Sequence, residues 1–103
     1  MMVATVAALF APLVHAAFDV SITNAAASVG GAWTGTNPKT WTASASGATA
    51  SIAEIQANLA TASVIIDTGS TGTEAGDVLL LDPVAWAANT FTIKAKRNIR
   101  LYA

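Results

Sequence analysis

Apolar and polar residues alternate strictly at one point early in the chain: Phe18, Val20 and Ile22 are separated by Asp19, Ser21 and Thr23. That period of two predicts a half-buried strand. The following stretch, GAWTGTNPKTWT, sets Trp33 and Trp41 on either side of the turn signal Thr36-Asn37-Pro38-Lys39, which predicts a hairpin. SIAEIQANLATA then changes the period. Ile52, Ile55 and Leu59 fall at i, i+3 and i+7, one stripe of a helix. Ser51 and Glu54 have the spacing of a capping box, so the helix should start at Ile52. Such a short helix does not persist alone and needs a surface to lie on.

From Ser63 onward four runs, SVIID, DVLLLD, TFTIKA and NIRLYA, place apolar residues at alternate positions: Val64 and Ile66, Val78 and Leu80, Phe91 and Ile93, Ile99 and Leu101. The linkers TGSTGTEAG, PVAWAAN and KR carry turn-forming residues. Short strands at quasi-regular spacing after a single helix predict a mainly β fold, a partial parallel β-helix or solenoid of one to two coils. The first coil of such a stack has a bare edge, and the helix of Ile52 to Leu59 would cap it.

The N-terminus changes the picture of where the chain works. MMVATVAALFAPLVHA contains no Lys, Arg, Asp or Glu and ends Val14-His15-Ala16 with small residues around the cut, the pattern of a cleavable export signal helix. Its apolar core is shorter than the roughly 20 residues that span a bilayer, so no integral membrane span is expected once the signal is removed. His15 belongs to this leader and has no co-ligand nearby. The organisation is therefore 1–16 signal peptide, 17–48 strand and Trp-containing hairpin, and 49–103 capping helix with β-helix coils.

Composition excludes several functions. The net charge is −1, with 53% apolar and 11% charged residues, so there is no basic face for nucleic acid. With no Cys, disulfides, thiol nucleophiles and thiolate metal sites are absent.

The stretch VIIDTGST, residues 64–71, is the one that suggests catalysis, because apolar-apolar-Asp-Thr-Gly is the active-site loop of pepsin-like and retroviral aspartic proteases. Those enzymes need two carboxylates sharing a proton, and a homodimer using Asp67 twice would supply them. AKRNI, however, carries Lys96 where the retroviral enzymes have Gly in their later Gly-Arg-Asn segment. A structural Asp67 that caps the Thr68-Gly69 turn is the simpler expectation. Asp67, Glu74 and Asp77 around a Gly-rich loop could offer oxygens to calcium, but their spacing fits no calcium loop. Asp82 precedes Pro83 as a turn residue. Trp33 and Trp41 could stack on a sugar, although packing beneath a loop accounts for them as well. Lys94, Lys96, Arg97 and Arg100 form a cationic cluster that would meet acidic glycans or protect a strand edge from aggregation.

The order of elements resembles the N-terminal repeat segments of secreted bacterial proteins of the filamentous haemagglutinin and autotransporter-adhesin type. The likeness runs through residues 31–103. It is carried by Val64 to Thr68, Gly76-Asp77-Val78-Leu79-Leu80, Val84 and Trp86, Thr92-Ile93-Lys94-Ala95, and Asn98-Ile99-Arg100-Leu101. The resemblance implies a right-handed β-helix and an adhesive or scaffolding role without catalysis. Those proteins are far longer, which makes this chain the expected front end of a larger exported adhesin. The expected function is a secreted or cell-surface structural and adhesive module, with no catalytic, cofactor-binding or metal-binding residues and no cofactor. Its expected partners are a host-cell surface or glycan, and a second copy through the open C-terminal end. The alternatives are the aspartic protease and a carbohydrate-cleaving β-helix enzyme.

Overall fold

The structure, a computed structural model, describes residues 16–102. The apolar leader therefore lies, up to residue 15, outside the described residues. Eight strands and one helix follow in the order β1 (Val20–Thr23), β2 (Gly31–Thr34), β3 (Lys39–Ala43), β4 (Ala48–Ser51), α1 (Ile52–Leu59), β5 (Val64–Asp67), β6 (Val78–Leu80), β7 (Phe91–Lys94) and β8 (Ile99–Leu101). They form two four-stranded sheets. The first, in the order β4-β1-β6-β8, is parallel throughout. The second, in the order β2-β3-β5-β7, is mixed, with an antiparallel β2–β3 hairpin and parallel pairs beyond it.

The two sheets face each other across one apolar core. Alternation sends Val20, Ile22, Ala48, Ala50 and Val78 inward from the first sheet and Trp41, Ala43, Val64 and Ile66 inward from the second, and all of these are buried. The hairpin expected around the two tryptophans is present, with Trp33 directly opposite Trp41. Strands from both sides of residue 48 contribute to each sheet.

This arrangement corrects the expected solenoid and its capping helix. In a stack of coils each strand pairs with its equivalent one coil later, so an N-terminal strand would stand at the end of the stack. β1 instead sits inside the first sheet, between β4 and β6, and the second sheet contains an antiparallel pair. The period-two pattern says which side chains face the core and is silent about which strand is the neighbour. There is accordingly no bare first-coil edge for α1 to cover. The outer edge of β4 is met by a bridge in which Val29 and Thr49 exchange both backbone hydrogen bonds, each 2.9 Å. The helix runs from β4, at the edge of the first sheet, to β5, the third strand of the second, and closes the flank of the core.

The helix itself forms where its stripe predicts. Ser51 is the N-cap and its Oγ accepts from the Glu54 amide at 3.4 Å, while Ile52, Ile55 and Leu59 are buried. Only half of the expected capping box is made. The Ser51 amide donates to Ser28 Oγ at 2.8 Å, and the Glu54 carboxylate reaches away from the helix. Among the described residues no helix is long and apolar enough to cross a membrane.

Candidate functional site

Asp67 ends β5 at the rim of a shallow cleft of about 390 Å³ lined by Thr42, Thr68, Gly69, Ser70, Lys94 and Lys96. Register places Thr42, Asp67 and Lys94 side by side on three adjacent parallel strands. Asp67 Oδ1 accepts from the Gly69 amide at 2.8 Å, and Oδ2 lies 3.7 Å from Lys94 Nζ. This is the turn cap expected of a structural aspartate. Gly69 itself has φ +82°, and a Cβ there would lie 2.9 Å from the Ala43 carbonyl oxygen, so the glycine of the Asp-Thr-Gly triplet is required by the turn. Thr68 is buried; its Oγ1 accepts from the Lys96 amide at 3.1 Å and donates to the Lys94 carbonyl at 3.4 Å. Among the described residues no second carboxylate lines the cleft.

The remaining carboxylates also go to the backbone. Asp19 Oδ1 accepts from the amides of Gly76 and Asp77 at 3.0 and 2.8 Å. Glu74 Oε1 accepts from the Asp19 amide at 2.9 Å, and Asp82 Oδ2 from that of Asn24 at 3.1 Å. Asp77 Oδ1 accepts from the Asn98 amide at 3.1 Å, and the carboxylate as a whole takes a two-pronged contact from Arg97 at 2.9 and 2.8 Å. The Arg97 hydrogen bonds, ahead of burial, hold the Asp77 carboxyl below its ordinary range, and the same contact raises the Arg97 guanidinium. Asp67, Glu74 and Asp77 thus serve three different contacts rather than one cation, and among the described residues no three His, Asp or Glu side chains converge as metal ligands.

One regularity in the sequence escaped the reading of motifs. Val20, Val78 and Ile99 stand in register at the starts of β1, β6 and β8. The residue before each is Asp19, Asp77 or Asn98, and each carboxylate accepts the backbone amide of the next in the series. The signal was an Asp or Asn directly ahead of the apolar-x-apolar triplets of β1, β6 and β8.

Glu54 makes a second long-range tie, accepting from the Ser28 amide and from Trp33 Nε1, both at 2.9 Å. The Trp33 hydrogen bond, followed by that of Ser28, lowers its carboxyl pKa. Trp33 is half-buried and Trp41 is 1% exposed, so Trp41 has no face left for a sugar. Of the cationic cluster, Lys94 and Arg97 are paired with Asp67 and Asp77, while Lys96 and Arg100 are exposed without an ion pair among the described residues. The chain matches no family model, and no curated protein or solved structure is similar to it.

Proposed function

We propose that this chain is an exported structural and adhesive module without catalytic activity. One observation carries the reading: all six carboxylates of the sequence accept a backbone N–H that fixes a turn or ties two segments together. A carboxylate that serves as acid, base or nucleophile needs a neighbour that tunes it and a free path to substrate. Asp67, the residue with the protease-like context, is held by the Gly69 amide and Lys94 instead. The leader-like residues 1–16 and the resemblance of residues 31–103 to exported adhesins support the location.

The surface suited to adhesion is the cleft beside Asp67. It offers the hydroxyls of Thr42 and Ser70 and the ammonium groups of Lys94 and Lys96 around an open rim, an inventory of donors that matches a polyhydroxylated, acidic glycan. The test is retention of the purified chain on cells and on immobilised acidic glycans. Saturable retention that Asp67→Asn preserves and Lys96→Glu weakens is expected. Retention on no surface, or retention indifferent to Lys96→Glu, counts against the reading.

A further inference from the structure

The cleft beside Asp67 opens on the outer face of the second sheet. β5 and β7 turn Ile66 and Ile93 to the core, so the next residues along, Asp67 and Lys94, face outward, and Thr42 joins them in the same row. Neighbouring strands lie about 4.8 Å apart, so one sugar unit reaches side chains of two strands at once. The Gly69 amide takes Asp67 Oδ1 at 2.8 Å, which leaves Oδ2 for the cleft. Oδ2 lies 3.7 Å from Lys94 Nζ, beyond direct hydrogen-bond range, so its lone pairs are open to a ligand. The Asp67 side chain is 25% exposed and that of Lys94 64%. Lys96 projects from a fixed backbone, because its amide donates to Thr68 Oγ1 at 3.1 Å. Two ammonium groups against one carboxylate leave the lining with a single net positive charge.

Such a lining discriminates among anions. A carboxylate oxygen only accepts hydrogen bonds. A free sugar hydroxyl has a proton to give Asp67 Oδ2, whereas a sulfate ester in its place offers oxygens alone and brings negative charge against Asp67. Asp67 also offsets Lys94, so the cleft balances one anionic group, held by Lys96. Resting on the adhesive reading above, we propose that Asp67 selects the ligand class. The cleft takes a glycan whose carboxylates are isolated between free hydroxyls, a uronic-acid polymer, and Asp67 rejects densely sulfated chains. Specificity of this kind comes from a repulsive group as much as from attractive ones. Asp67 thus determines specificity without supplying affinity for the accepted ligand, which sets it apart from Lys96.

The test measures equilibrium binding of the purified chain, across a salt series, to two glycan fragments of equal length. One is hyaluronan, with a carboxylate in each disaccharide, and the other heparin, with sulfates along most of its sugars. Wild type should hold hyaluronan at least as tightly as heparin. Asp67→Asn turns the open acceptor into an amide donor and releases Lys94. It should raise heparin affinity about fivefold, the upper end for one exposed charge contact, and change hyaluronan affinity by less than about twofold. Heparin binding should also become more salt-dependent, because one more cation then meets sulfate. Asp67→Glu keeps the charge and should keep the wild-type preference. A wild type that prefers heparin, an Asp67→Asn variant with an unchanged ratio of the two affinities, or an Asp67→Glu variant that behaves as Asp67→Asn would overturn this proposal and leave the adhesive reading standing. Binding of neither fragment at any salt concentration would remove both.

Discussion

Removing the Glu54 carboxylate should loosen two distant parts of the fold at once. Its two oxygens hold the Ser28 amide and the Trp33 indole N–H, both at 2.9 Å, from the first turn of α1. A hydrogen bond to a charged group contributes about 1.5 to 3 kcal/mol. Glu54 is half-buried, which favours the low end for each. A carboxylate in the first turn adds about 0.3 to 1 kcal/mol through the helix dipole. Glu54→Ala should therefore cost about 3 to 4 kcal/mol, a large share of the roughly 5 to 15 kcal/mol typical of a small domain. Glu54→Gln keeps one acceptor and should cost about half as much. Because the folded pKa is lowered, the contribution of Glu54 is complete above the unfolded value of about 4.3 and fades as pH falls through the folded one. Urea unfolding followed by tryptophan fluorescence at pH 7 and pH 3 measures both effects. A Glu54→Ala variant within 0.5 kcal/mol of wild type by order of magnitude, or a Glu54→Gln variant with undiminished acid sensitivity, would refute the reasoning.

Other expectations follow from the same contacts. Leu59 is 1% exposed, so Leu59→Ala should destabilise by about 2 to 5 kcal/mol in the same urea assay. Asp67→Asn should cost at most about 1 kcal/mol, as a weakened turn bond, with no loss of surface retention. Asp77 has its pKa lowered chiefly by Arg97. Asp77→Asn should thus remove part of the stability that wild type loses on acidification below about pH 4, read as a flatter curve of unfolding midpoint against pH. A Cβ at Gly76 would collide with Lys96 and lie 2.9 Å from Ala17 Cβ, at φ +86°, so Gly76→Ala should lower the melting temperature measurably by calorimetry.

Much of the local structure could be read from the sequence, because local structure is set by neighbours in the chain. Ser51 and the spacing of Ile52, Ile55 and Leu59 fix the helix, and the alternation in SVIID, DVLLLD, TFTIKA and NIRLYA fixes β5 to β8. Strand neighbours are a different matter. Val20 and Ile22 carry the same alternation whether β1 ends a stack or sits between β4 and β6, and the true place depends on contacts more than 25 residues away. The carboxylates show the same division. Asp67 bonds two residues along the chain and its turn cap could be foreseen. Glu54 bypasses the nearby Ser51 amide for Ser28 and Trp33, partners that no local motif names. For Asp77 the glycine-rich loop offered calcium as a partner, which the spacing already disfavoured, and nothing local offered another. Its true partners, Arg97 and Asn98, lie 20 and 21 residues further along, in the turn between β7 and β8.

The central claim is that the carboxylates hold this fold together while its surface binds without reacting. The most direct measurement recovers the ligand: the chain is incubated with peptide and polysaccharide libraries, bound material is eluted, and its mass is determined beside that from Asp67→Asn. The account predicts ligand recovered at unchanged mass from both proteins, and in no smaller amount from Asp67→Asn. Cleaved peptide or saccharide from the wild type, with intact material from Asp67→Asn, would contradict it.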